Sequence, residues 1–329
     1  MLLQPRHDGR RYYNVLPTSV SPPSGYVALL KRQLFEKAER EPRQPLGPFR
    51  ADAAALAAPV PADALRATWL GHSAVLLEID GRRFLTDPVW AGRASPSQLA
   101  GPRRFFAPPL ALADVPPLDG IVLSHDHYDH LDPLAIRALA GRTERVFCPL
   151  GVGAHLRRWG VAATKITELT WWESASIAPG FEVVATPARH FSGRGLLDRD
   201  RTLWASWVVR GPQHRVFFGG DTGPFDEAFQ QIGAQFGPFD LVLLEIGASD
   251  PEWADIHLGP ANALAAHRLL GGGPLLPLHW ATFNLAFHAW QQPMQRLLEL
   301  AGPEVPLLLP APGQRVEVAA GPLPGRWWE

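Results

Sequence analysis

A chain of 329 residues, 46% hydrophobic and 19% charged, has the composition of a soluble globular protein with ample core. Its formal net charge of -1 and lack of any basic run exclude a nucleic-acid grip. The lone cysteine, Cys148, excludes a disulfide framework and a cysteine-based zinc site. No run of 18 apolar residues suggests a membrane span, and residues 1–6 lack a signal peptide's apolar core, so the expected location is the cytoplasm.

Residues 1–65 read as an N-terminal arm and linker. Within them, residues 25–35 can form a helix with Tyr26, Leu30 and Leu34 on one face and Lys31, Arg32 and Lys37 around it. That helix can dock on the main domain or, in a sharper reading, make peripheral contact with a membrane surface. The Ala/Pro-rich stretch 51–64 reads as a surface linker.

From residue 66 to 329 the pattern is that of one catalytic domain. Strands are expected at 67–70 and 74–79, then Asp80-Gly81, where glycine takes positive φ cheaply, turns the chain into a return strand over 82–86. Asp132 can cap a helix with Pro133 at its first position. Further strands are expected at 146–149, 181–186, 203–209, 216–219, 241–246 and 275–278, with helices at 260–270 and 293–300. Hairpins followed by strand–helix alternation suggest two packed sheets with helices outside, and ligands gathered at one edge.

The chemistry is concentrated after the apolar run Ile121-Val122-Leu123. His125, His127, Asp129 and His130 follow it in the order H-x-H-x-D-H. Imidazole and carboxylate suit a divalent ion such as zinc without any thiolate. His125 and His127 can converge on one ion, while Asp129 and His130, past the bend, can face a second. Later strand ends offer the remaining ligands. His190 can complete the first set, Asp221 in a Gly-rich turn can bridge both ions, and His279 can close the second set. Two ions held together make hydroxide available near neutral pH, where it can attack phosphorus. Arg194 can hold a phosphate oxygen through its planar fork. Trp253, Trp280 and Phe283 flank the expected site as an acyl-chain wall, with Trp290 beside them.

This pattern strongly resembles the metallo-beta-lactamase superfamily, whose α/β fold is a four-layer αββα sandwich; here it would carry an N-terminal extension. Further motifs narrow the resemblance: Thr68-Trp69-Leu70-Gly71-His72-Ser73, Phe84-Leu85-Thr86-Asp87-Pro88-Val89, Gly101-Pro102-Arg103-Arg104-Phe105, Trp171-Trp172-Glu173 and His279-Trp280-Ala281-Thr282-Phe283. They are similar to N-acyl-phosphatidylethanolamine-hydrolysing phospholipase D and its bacterial relatives. The resemblance implies His125, His127 and His190 on one zinc, Asp129, His130 and His279 on another, and Asp221 shared. It places Asp87 behind the metals, orienting a ligand or water, and His257 at the site, contacting substrate or a catalytic water, with His72 in a similar position. The implied activity is that of a bacterial phosphodiesterase of phospholipase D type acting on N-acyl-phosphatidylethanolamine-like lipids.

The same site can polarise a carbonyl, so a lactonase or carboxyl-ester hydrolase of small soluble substrates is the alternative. A metal-retaining but inactive binding protein is a third reading, which the filled ligand positions disfavour. A homodimer is left open.

Overall fold

The computed structural model describes residues 1–20, 24–195, 197–323 and 325–329, without the side chains of Tyr26 and Gln33. The arm holds two paired strands, β1 (Arg6–His7) and β2 (Tyr12–Tyr13), and two helices, α1 (Tyr26–Phe35) and α2 (Ala53–Ala57). There follow β3 (Leu65–Gly71), β4 (Ala74–Ile79), β5 (Arg82–Thr86), β6 (Leu118–Val122), α3 (Pro133–Leu139), β7 (Thr143–Pro149), α4 (Gly153–Arg158) and β8 (Ile166–Leu169). The second half contains β9 (Ser174–Ala178), β10 (Phe181–Thr186), β11 (Ser206–Arg210), β12 (Arg215–Phe218), α5 (Asp226–Phe236), β13 (Leu241–Glu245), α6 (Gly259–Leu269), β14 (Leu275–Leu278), α7 (Gln292–Leu300) and β15 (Arg315–Glu317).

The strands form a seven-stranded sheet in the order β15-β3-β4-β5-β6-β7-β8 and a six-stranded sheet in the order β14-β13-β12-β11-β10-β9. Side chains alternate across the first sheet with the period of two that a pleated strand imposes. Trp69, Val75, Leu77, Phe84, Val122 and Phe147 enter the core shared with the second sheet. Their neighbours Leu70, Leu76, Leu85, Ile121, Leu123 and Val146 pack outward with Ile136 and Leu139 of α3 and Leu156 of α4. Residues of α5, α6 and α7 join the core from the second sheet's side. This is a four-layer αββα sandwich. Trp207 of the second sheet donates from Nε1 to the Leu123 carbonyl at 2.9 Å, tying the sheets together where a buried indole needs a partner.

Strand direction decides where the chemistry gathers. β3, β5 and β6 run the same way, because two antiparallel steps separate β3 from β5 and β5 pairs parallel with β6. In the other sheet β10, β12, β13 and β14 likewise share one direction. The segments leaving these strands carry His72, Asp87, His125, His190, Asp221 and His279. At the opposite edge, Asp80 (φ 47°) and Gly81 (φ 85°) form the expected tight turn. Asp80 there accepts from the backbone N–H groups of Gln213 and His214 at 2.8 and 3.0 Å, with His214 Nδ1 2.5 Å from its other oxygen.

Three expectations change. The strand expected from residue 203 starts at Ser206. Residues 203–205 leave the sheet so that Trp204 can donate to the Ala188 carbonyl and Ala205 to that of Ser124. The linker contains α2, whose N-terminus Asp52 caps by accepting from Ala55 N, and whose Leu56 is buried with the outer cluster of the first sheet. Helix α1 is attached by charge at Arg32, not by Leu30 and Leu34 of its apolar stripe. Arg32 forks onto Asp250 at 2.7 and 2.9 Å, while Val27, Leu30, Leu34 and Phe35 stay 71, 59, 67 and 76% exposed. Among the described residues no helix is long and apolar enough to cross a membrane.

Candidate metal centre

The segment after β6 turns sharply, with the amides of His130 and Leu131 both returning to the His127 carbonyl. That turn splits the H-x-H-x-D-H residues between two groups. His125 Nε2 lies 2.8 Å from His127 Nδ1, and His190 Nε2 lies 3.3 Å from the same atom. Nitrogen ligands about 2.0–2.1 Å from a tetrahedral ion stand about 3.3 Å apart, so these three atoms are spaced as one ligand face. In the second group, His130 Nε2 and His279 Nε2 are each 3.5 Å from Asp129 Oδ2. Asp221 Oδ2 sits between the groups: 3.1 and 3.2 Å from His130 and His279, and 3.9 and 3.8 Å from His125 and His190. The Gly-rich turn permits this approach. Gly220 has φ 57°, and a Cβ there would lie 2.3 Å from the Ser124 side chain.

The donor set fits divalent metal. Among the described residues, the buried ligand atoms His130 Nε2, His279 Nε2 and Asp221 Oδ1 have no hydrogen-bond partner, although each would require one in a purely structural cluster. Burial holds the His125 and His190 pKa values well below the usual histidine range, and that of His127 below it, leaving neutral imidazoles. Burial also opposes charge on His130 and His279, but Asp221 leads the carboxylates that overcome it. His130 is raised well above its ordinary value and His279 to about 10. Despite their own burial, Asp129 and Asp221 are held well below the carboxylate range, with His130 the leading cause. In the metal-free chain these imidazoliums neutralise carboxylates that a divalent ion would otherwise neutralise.

Behind the ligands, Asp87 Oδ2 lies 2.7 Å from His130 Nδ1, and its other oxygen accepts from Ser124 N at 2.7 Å. The Ser124 hydroxyl also meets Asp87 and His125 Nδ1, at 2.5 and 2.9 Å. His190 Nδ1 lies 2.9 Å from the Ile256 carbonyl. Both ligand orientation and tautomer are therefore set from behind, as metal histidines require. His72, Asp87 and His279 adopt φ of 55°, 31° and 63°, a region costly for side-chain-bearing residues and concentrated here at the site.

The remaining sequence candidates occupy different settings. His72 is buried, with Nε2 3.0 Å from Asp129 Oδ2, and burial moves its pKa down to about 3. It therefore backs Asp129 instead of facing the opening. Arg194 donates to the carbonyls of Asp126 and Leu131 at 2.6 and 2.8 Å and lies 3.9 Å over the Tyr128 ring, so its fork already serves the metal-bearing segment. Trp280 stacks on Trp69 in the core with ring centroids 5.8 Å apart. Phe283 is buried edge-on to His72. Trp253, half-buried, meets Phe287 beside a hollow of about 470 Å³. A second hollow of about 360 Å³ lies between residues 12–18 of the arm and Phe191, whose ring rests against His127 and His190.

Within the cluster only His127, Asp129 and His257 are not fully buried, and they define its open edge. His257 Nδ1 lies 2.6 Å from Glu245 Oε2. Sequence reasoning missed Glu245, Ser124 and Asn14, whose amide donates to the His190 carbonyl. Glu245 alone had a signal: an acid within the apolar strand run Leu-Val-Leu-Leu-Glu-Ile requires a buried partner.

Comparison with known proteins agrees with this geometry. A beta-lactamase superfamily domain model matches residues 82–280. An uncharacterised protein of Mycobacterium tuberculosis is 51% identical over 272 residues, covering 81% of this chain and 72% of its own. The N-acyl-phosphatidylethanolamine-hydrolyzing phospholipase D 1 of Caenorhabditis elegans is 40% identical over 247 residues, covering 72% and 69%. Among solved structures, a metallo hydrolase from the archaeon Ignicoccus hospitalis aligns with a TM-score of 0.57 at 25% identity, covering 77% of this chain and 97% of that one.

Proposed function

Because the chain belongs to the metallo-beta-lactamase superfamily and is a metal-dependent hydrolase of that group, we propose that it is a dinuclear zinc phosphodiesterase of phospholipase D type. His125, His127 and His190 would hold one ion, Asp129, His130 and His279 the other, with Asp221 placed to serve both. The observation that carries this reading is the position of Asp221 Oδ2, within 3.2 Å of both second-group histidines and within 3.9 Å of His125 and His190. A pair of divalent ions held there would supply an acidified water near neutral pH and charge to offset that of phosphate oxygens.

The protein's own residues do the rest. Asp87 and Ser124 hold His130 and His125 in orientation, and His72 holds Asp129. Resemblance to a relative that hydrolyses N-acyl-phosphatidylethanolamine supports a lipid phosphodiester as substrate. The exposed apolar face of α1 supports peripheral contact with the membrane that carries it, and the hollow beside Trp253 and Phe287 is a place for an acyl chain.

The test is a paired assay of zinc-loaded protein on N-acyl-phosphatidylethanolamine in detergent micelles and on a panel of soluble lactones, with Asp221→Ala as blank. Metal-dependent release of phosphatidic acid, absent in the variant, is the expected result. Lactone turnover with inert lipid would overturn the substrate while leaving the metal chemistry.

A further inference from the structure

Glu245, the last residue of β13, is buried with a full set of contacts directed at the site. Its Oε1 accepts from Thr222 N at 2.8 Å and from Leu258 N at 3.3 Å. These amides belong to the residues following Asp221 and His257, so one carboxylate oxygen ties together the two segments that carry those side chains. Its Oε2 lies 2.6 Å from His257 Nδ1 and 4.0 Å from His279 Nδ1.

This arrangement restricts His257. A carboxylate whose first oxygen already accepts two N–H groups presents its second as an acceptor, so Nδ1 carries the hydrogen. Neutral imidazole holds one hydrogen, so the lone pair is then on Nε2. Nε2 makes no hydrogen bond among the described residues, and His257 is one of the few members of the cluster at its open edge.

We propose that Glu245 is a positioning residue for the hydrolytic reaction. It holds His257 as the Nδ1–H tautomer so that Nε2 accepts a hydrogen bond from the water or leaving hydroxyl at the open edge. The role rests on the phosphodiesterase reading above, but the tautomer can be observed without any substrate. A purely structural Glu245 would only cap the Thr222 and Leu258 amides.

Glu245→Gln separates the two roles. The glutamine oxygen can still accept from both backbone amides, while its NH₂ group now donates toward Nδ1 and drives the hydrogen to Nε2. Histidine ¹⁵N spectra of the metal-loaded protein and the variant report the tautomer, with His257→Gln assigning the signal. Circular dichroism and bound zinc report fold and loading, and bis(4-nitrophenyl) phosphate hydrolysis reports turnover.

The expected result is an Nδ1–H signal in the parent and Nε2–H in the variant, with fold, zinc content and KM retained and kcat lowered by about 10²–10⁴. The double variant with His257→Gln should be no slower than His257→Gln alone, because Glu245 acts through that ring. A parent ring bare at Nδ1, or a flipped tautomer with unchanged kcat, would overturn the proposal. If the parent shows Nδ1–H but turns over neither this diester nor the lipid, the phosphodiesterase reading fails and the positioning role proposed for that reaction falls with it. Should Glu245→Gln not fold, the same comparison on Glu245→Asp decides, where a retained Nδ1–H tautomer should rescue kcat.

Discussion

Asp87 and His130 meet at 2.7 Å with both side chains fully buried, a carboxylate behind the ring whose far nitrogen faces Asp221 and Asp129. The pair fixes which nitrogen of His130 is free for metal. Asp87→Asn keeps the shape but loses the charge. Its zinc affinity at the second group should fall about 10- to 100-fold, as for other residues that orient metal ligands. Competition titration against a chromophoric chelator measures this; unchanged affinity at both ions would remove Asp87 from the site.

Metal removal should make the protein's stability more dependent on pH than it is in the loaded form. His279 rises from the ordinary histidine range to about 10 in the metal-free fold. A raised folded-state pKa contributes stability that is fully present below about pH 6.5 and lost as pH rises through about 10. The Tm of chelator-stripped protein should therefore drop between about pH 7 and about pH 10, while the zinc-loaded Tm changes less. Parallel melting curves with and without zinc decide it.

Arg194, a candidate phosphate contact, uses Nη1 to brace the backbone of the metal-bearing segment at two carbonyls. Arg194→Met should destabilise the fold by about 1–3 kcal/mol through those unpaired carbonyls. KM for a diester should change little once the protein is folded. A large KM increase with unchanged denaturation midpoint would return Arg194 to substrate binding.

For the proposed membrane contact, Leu30→Ser with Leu34→Ser removes exposed apolar area without touching the Arg32–Asp250 fork. Sedimentation with phospholipid vesicles should lose binding in the double variant, with hydrolysis of a soluble diester preserved. Equal sedimentation of both proteins would eliminate α1 as the contact.

The residues that were legible in the sequence are those whose partners are local or whose strand context is strong. The hairpin at Asp80-Gly81, the Asp132 cap and the strands β4, β5, β10 and β14 follow from turn chemistry, capping and apolar pattern alone. His125 to His130 stand out because four candidate ligand side chains, three imidazoles and a carboxylate, crowd a strand end. Long-range pairing left no comparable trace. β15 closes the first sheet from residue 315, and nothing local near Arg315 predicts its pairing with β3. Asn14 reaches His190 across 176 residues of chain. Trp280 read as a site aromatic because it adjoins His279, yet the left-handed turn at His279 and Ala281 sends the indole inward to Trp69.

The clasp of Asp80 on Gln213 and His214 joins the two sheets by hydrogen bonds at the edge remote from the metal cluster. The sandwich thus resembles a book bound along its spine, and the proposed ions would act as a latch on the opposite margin. Unlatching it should loosen the pages without detaching them. Chelated protein is expected to keep its hydrodynamic radius and far-ultraviolet dichroism, while amide exchange quickens in the segments around residues 125–131 and 279–283 and stays slow around Asp80.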